Sequence, residues 1–199
     1  MSQKTQATKT SESRLRQGDI LRDVEWIECV EETAGIVEVL KVIFPLAIVL
    51  TQDCDLNGDY RVRTQKASSD DKRLISALLA PIYNVEHVYQ GMHLSELEIK
   101  MEPVPKGRTA GTYLRSNQRP RYHYLEFADD IPIVPSVIDF KHYFSATVSY
   151  LMSIKLEAFV CSIASLFREE ISHRFAAYLA RVGLPEPADP PGADDETRQ

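Results

Sequence analysis

Three groups of residues have the types and spacing to do chemistry. The first is Thr51-Gln52-Asp53-Cys54-Asp55, which ends the apolar run from Pro45 to Leu50 and holds a thiol between two carboxylates. A thiol attacks as the thiolate, which positive charge favours. Asp53 and Asp55 act against that, and no histidine is fixed beside Cys54 to take its proton. Along a strand, Asp53 and Asp55 would share one face, able to orient a substrate or take a hard cation, with Gln52 and Cys54 on the other. The plainer reading, and the preferred one, is a small buried cysteine at a strand end whose aspartates cap the next turn. Asp53 and Cys54 are carried forward as candidate catalytic residues.

The second group is a basic island. Lys106, Arg108, Arg115, Arg119 and Arg121 fall in a stretch with no Asp or Glu between Glu102 and Glu126, and Tyr113, Tyr122 and Tyr124 are interleaved with them. Guanidinium groups can hold phosphates and aromatic faces can stack on unpaired bases. Such runs are also common as solvated or partner-docking faces. Arg108, Arg115, Arg119, Arg121, Tyr113 and Tyr122 are therefore candidates for contacting RNA or a protein partner.

The third group is histidine. His123 lies in "RYHYLEF", His142 in "FKHYF", His87 and His93 in an ambiguous segment, and His173 on an expected helix. None shows the paired spacing of a metal site. His123 ranks first because it neighbours Arg121, with which it could form a base beside a phosphate clamp. The phosphate-binding Gly-x-x-x-x-Gly-Lys-Ser/Thr loop, the dinucleotide glycine motif and the Gly-x-Ser-x-Gly elbow are all missing, and with 8 glycines in the chain no nucleotide-cradling loop is expected. No cofactor and no metal are expected.

The elements that must position these residues belong to a chain of 199 residues, with 44% hydrophobic and 26% charged residues. That suits one ordinary domain with tails. A net charge of −6 argues against a generally basic nucleic-acid binder but leaves room for a local basic face. Three scattered cysteines without a Cys-x-x-Cys pair point to a reducing, cytoplasmic compartment. The polar start has no secretory h-region, and the apolar run Val42 to Leu50 is about half of what a membrane-spanning helix needs.

Residues 1–14 and 185–199 are expected as flexible tails around a single domain at 15–184. Within it, β-rich segments are read at 18–30, 35–43, 46–52, 74–85, 119–127, 135–146 and 156–163, with a bend at Pro45. A polar loop is read at 57–73, and residues 86–103 have room for a short helix. From Ser165 the period changes: Leu166, Phe167, Ile171, Phe175, Tyr178, Leu179 and Val182 recur at helical spacing. Ser165 stands as the amino-terminal cap, and Gly183 with Pro185 as the stop. Short strands followed by one amphipathic helix predict a mainly β (α+β) fold, a small, partly open SH3-like barrel sealed by the carboxyl-terminal helix.

The segment order resembles the MazF/PemK toxin family, small barrels that cleave single-stranded RNA without a metal. Gly18-Asp19-Ile20 stands where the family opens its first strand, "PLAIVLTQD" (45–53) is similar to its proline-led strand, and "LISALLAPI" and "VIDFKHYFSAT" (137–147) follow in order. The resemblance covers about residues 20 to 150 and implies the barrel. It does not carry over the chemistry. Phe44 occupies the place of the family's arginine beside the proline, "ALLAP" offers no serine or threonine, and His142-Tyr143 stand near the later arginine-threonine pair. The ending "REEISHRFAAYLARVGLP" (168–185) is similar to one recurring in uncharacterised bacterial proteins of this length. The expected function is a non-catalytic binding module, an accessory subunit of a bacterial toxin or defence system that contacts a protein partner or single-stranded RNA, with oligomerisation left open. The alternatives are a metal-independent endoribonuclease with a rearranged site, and a thiol enzyme using Cys54.

Overall fold

The structure is a computed structural model that describes residues 4–65, 69–107 and 113–181. Among these, eight strands pair antiparallel in one curled, half-barrel sheet, giving the expected mainly β fold with a carboxyl-terminal helix. In chain order the elements are β1 (Ala7–Thr8), β2 (Asp19–Thr33), β3 (Ile36–Val49), α1 (Asp53–Thr64), β4 (Ser76–Asn84), α2 (Val85–Gln90), β5 (Tyr122–Leu125), β6 (Ser136–Asp139), β7 (Phe144–Thr147), α3 (Val148–Ala158), β8 (Phe159–Ile163) and α4 (Ser165–Leu179). The sheet order is β1-β8-β2-β3-β4-β6-β5, and β7 also pairs with β4.

Alternation along the strands divides the core between two faces. Ile20, Ile48, Ala80, Leu125 and Ile138 pack under Phe167, Ile171 and Phe175 of α4, which recur at one-turn intervals as the periodicity predicts. Leu21, Val24, Ala47 and Val49 pack on the other face against Val148 and Leu151 of α3 and Leu56 of α1. A buried ion pair ties the faces together: Lys155 of α3 reaches the Asp19 carboxylate at 2.7 Å and the Arg14 carbonyl.

β2 and β3 form a hairpin of 15- and 14-residue strands, turned by Ala34-Gly35, both with positive φ (54° and 80°). That is the geometry whose twist matches paired strands. Pro45 does not end a strand as expected. It stands across from Asp23, whose φ of 53° drops this pair from a ladder that runs on through Arg22–Leu46, so the missing N–H breaks no bond there. The β3–β4 ladder is short, Val49–Leu79, Ile48–Ala80 and Ala47–Pro81. It stops where both strands carry prolines that cannot donate, and the outer parts of β2 and β3 project away as an arm.

β6 and β7 follow one another along the opposite edge of β4. Three residues separate Ile82 from Leu79, but six separate their partners Ile138 and Phe144, so the edge bulges outward at the short 3-10 turn Phe140–His142.

Several local expectations are corrected. The segment after Thr51 is helix α1 rather than a strand end and a loop over 57–73. Its acidic first turn (Asp53, Asp55) and basic last turn (Arg61, Arg63) complement the helix dipole, while Leu56 is its one buried apolar residue, too little to show a period. Residues 148–158 form α3, leaving only 159–163 of the expected last strand. The α4 cap position is Ala164, with no side-chain bond, so Ser165 does not cap. Within the stretch expected as a tail, residues 5–8 lie against the sheet: β1 pairs with β8, Thr5 is buried, and the Thr5 N–H donates to the Glu126 carbonyl. Gly183, Pro185 and the 185–199 tail lie outside the described residues. Among those described, no helix is long and apolar enough to cross a membrane.

Candidate functional site

Asp53 opens α1 and is a strut. Its carboxylate accepts two bonds from Arg14 (3.0 and 2.8 Å) and one from the Gln17 N–H (3.3 Å), and Arg168 of α4 stands 3.8 Å away. Burial pushes its pKa up, but the bonds and charge of Arg14, with the charge of Arg168, outweigh this and hold it below the usual carboxylate range. Cys54 is not buried as expected but exposed on the helix, its Sγ 3.6 Å from Gln52 Oε1 and 3.7 Å from Asp55 Oδ1. An open groove of about 840 Å3 runs past Cys54, Asp55, Arg61 and Lys72.

His123 is in the core on β5, with its ring centroid 6.5 Å from that of Phe140. Burial, then the Arg174 charge, pushes its pKa down to about 3. It is a neutral core histidine, and neither it nor Asp53 meets Arg121. The basic island is also largely engaged within the chain. Lys106 pairs with Glu86 at 2.5 Å, Arg115 lies over the Tyr124 ring at 5.8 Å, and Arg121 binds Asp139. Tyr122 and Tyr124 are buried rather than offered for stacking, Tyr113 is half-buried, and the Arg119 carbonyl accepts from Arg174. Arg108 lies outside the described residues.

The structure assembles a different cluster, around Asp139. This residue ends β6 at the bulge and is fully buried. It accepts from Arg121 Nε (2.8 Å) and Nη2 (2.6 Å), from the Lys141 N–H (3.0 Å), and meets His142 Nδ1 at 2.8 Å. Burial raises its pKa, but Arg121 and His142 more than offset this and keep it ionised. His93 Nε2 is 3.9 Å from the same carboxylate, beyond hydrogen-bond reach, with a side chain only 1% exposed. Burial holds His93 below its usual pKa. The Tyr83 hydroxyl is buried without a partner, and burial followed by the Asp139 charge pushes its pKa up.

Two adjoining clefts lie beside this cluster, in the fork where β3 parts from β4. One, of about 380 Å3, is lined by Leu46, Tyr83, His87 and His93. The other, of about 750 Å3, is lined by Trp26, Glu28, Glu96, Glu98, Lys141 and His142. Val42, Phe44, Tyr83 and Leu94 wall both. Above them stands the arm, with Ile27, Val30, Ile36, Val37, Val39, Leu40 and Ile43 each between 47% and 64% exposed.

Sequence reasoning noted His93 and His142 singly and missed Asp139, because the cluster draws on residues 83 to 142 through sheet pairing. The one local signal is Asp139-x-x-His142, the spacing of a single turn. Among the described residues, no group of three histidine, cysteine or carboxylate side chains is placed to hold a metal ion. Comparison of the chain with protein-family models, curated proteins and solved structures gives no significant match.

Proposed function

We propose that the protein is a binding module that docks a partner protein through the β2–β3 arm and the clefts at its root. The observation that carries this is the arm's seven large apolar side chains, between 47% and 64% exposed, on a ribbon that packs on the core only at its root, through Trp26 and Val42. Apolar surface of that extent marks an interaction site more often than a solvated face. Residues 25–43 hold five glutamates and one lysine, a net charge of −4 that repels a phosphate backbone and favours protein over RNA. A place as accessory subunit of a bacterial toxin or defence system draws its support from the MazF/PemK-like segment order alone.

The test is site-specific photo-crosslinking in the native host, with the crosslinker at Val39 or at Leu156, which is 90% exposed but far from the arm in sequence. A discrete protein adduct at Val39 that Ile27→Asp/Val30→Asp abolishes supports docking. A ribonuclease-sensitive adduct, equal adducts at both positions, or none, overturns it.

One observation favours a second reading, a metal-independent endoribonuclease. His142, oriented through Nδ1 by buried Asp139, lines a cleft beside Lys141. Its Nε2 could take a proton from a ribose hydroxyl while Lys141 meets developing phosphate charge. Cleavage of labelled single-stranded RNA in EDTA, lost in His142→Ala and retained in Cys54→Ala, is expected on this reading. RNA left intact from pH 6 to 8 removes it.

A further inference from the structure

Resting on the docking reading, we infer that the partner supplies an extended segment bearing lysine or arginine, which adds to the free edge of β3 and places a cationic side chain in the larger cleft against Trp26.

The first ground is the backbone. β3 pairs with β2 along its whole length, but on its other edge it meets β4 only at Ala47–Val49. Residues 36–46 therefore present an edge with no strand partner among the described residues. An unpaired edge beside a groove is the surface to which an extended peptide adds, with main-chain bonds giving affinity and pockets taking alternate side chains. Both clefts open along this edge, walled by Val42 and Phe44 on β3 and by Leu94 across the gap.

The second ground is charge. Glu28, Glu96 and Glu98 line the larger cleft with Lys41 and Lys141, and Lys41 is already committed to Glu25 at 2.7 Å. Further out, Glu31 stands directly across from Glu38 in the ladder. Like charges so placed oppose pairing. Alternation along β3 puts this pair on the same face as Leu40 and Val42, the face turned to the cleft, where an arriving cation would relieve the repulsion.

The third ground is the cleft's lining. Trp26 and Tyr143 line it, and aromatic rings attract a cation. In the smaller cleft the imidazole of His93 and the hydroxyl of Tyr83 stand in the wall beneath the apolar side chains, a polar floor under the edge of β3.

Trp26 is the chain's single tryptophan, so its fluorescence reports on the larger cleft. The probes are two synthetic peptides, one alternating valine with lysine and one alternating valine with glutamate, titrated into the full-length protein. The lysine peptide is expected to shift Trp26 emission saturably, to weaken as salt rises, and to weaken by about tenfold with Glu28→Gln/Glu96→Gln/Glu98→Gln. A lysine peptide with N-methylated alternate amides, which cannot donate to the edge, is expected to lose binding. The triple variant's urea midpoint confirms its fold. Equal binding of both peptides, an unaffected triple variant, or no binding at millimolar lysine peptide overturns the inference. So does sedimentation showing a stable dimer through the arm, which would make a second copy the occupant. If the Val39 adduct forms while the peptides fail, this inference falls and docking stands; if the adduct also fails, both fall.

Discussion

Replacing His123 with leucine separates the cost of a buried neutral imidazole from everything else that titrates. In the folded protein His123 takes its proton only near pH 3, because burial, and then Arg174, disfavour the imidazolium. In the unfolded chain it takes it near pH 6.5. Between these values the unfolded state binds more protons, so stability falls as pH falls through that window. The slope approaches about 1.4 kcal/mol per pH unit, and from pH 8.0 to 4.5 the loss is about 2.7 kcal/mol. That is a large share of the roughly 5–15 kcal/mol that holds a domain together.

Leucine has no proton to take, so the variant escapes this term. Far-UV circular dichroism in urea at pH 8.0 and pH 4.5 reads it out. At pH 8.0 the variant and the wild type are expected within about 1.5 kcal/mol, as for a volume-similar core exchange. At pH 4.5 the balance is expected to move about 2–3 kcal/mol toward the variant, roughly 1 M in midpoint. His123→Phe, which keeps a ring against Phe140, should show the same relative movement even if overpacking lowers both values. The depressed carboxyls Asp53 and Asp139 add their own losses only as pH falls below about 4, and His93 contributes equally to variant and wild type. A variant-to-wild-type difference that stays the same at both pH values would refute the reasoning and give His123 a charged partner.

Arg121→Met leaves the buried Asp139 carboxylate with only His142 and the Lys141 N–H, and a loss of about 3–5 kcal/mol at pH 7 is expected in urea unfolding, partly recovered in Arg121→Met/Asp139→Asn. Gly91→Ala combines a φ of +71° with a methyl group driven into the Met101 carbonyl, whereas Gly35→Ala, at +80°, meets nothing within 4 Å. The first should therefore lower the midpoint well beyond the ~1–2 kcal/mol left-handed cost expected of the second. Brief alkylation followed by peptide mass mapping should label exposed Cys54 first. It should spare Cys161, buried and with its thiol pushed up to about 12 by burial and then Asp19, until the protein unfolds.

How far the sequence could be read depends on where its signals lie. The α4 stripe of Phe167, Ile171 and Phe175 is one element burying one face, so its period shows. The inner strands of the half-barrel show for a different reason: Ile20–Leu21 and Ala47–Val49 are buried on both faces and so read as continuous apolar runs. α1 fails this test because ion pairs hold it: Arg14 and Arg168 grip Asp53, and Arg63 grips buried Asp59 at 2.7 Å. The Asp139 cluster was illegible because sheet register makes it, setting Tyr122 opposite Asp139 and bringing Arg121 onto that carboxylate. The basic island misled because composition reports charge and not partners.

The fork at Pro45 and Pro81 links the arm to the clefts physically. If β3 kept pairing with β4 past Ala47, the clefts would close and the arm would become another strand of the half-barrel. Ending the ladder at proline leaves a two-stranded ribbon, marginal by itself in water. Its order comes from its own devices: the Ala34-Gly35 turn, the bulge between Ile27 and Cys29, and cross-strand pairs such as Val30–Val39. Among the described residues the core packs on it only at its root, through Trp26 and Val42, so further out the turn and bulge fix its register. A ribbon ordered before it meets a partner loses little further entropy on binding, and more of its apolar contact remains as affinity. Relaxing the Ala34-Gly35 turn should therefore weaken docking more than folding, because the half-barrel core lies on the near side of the fork.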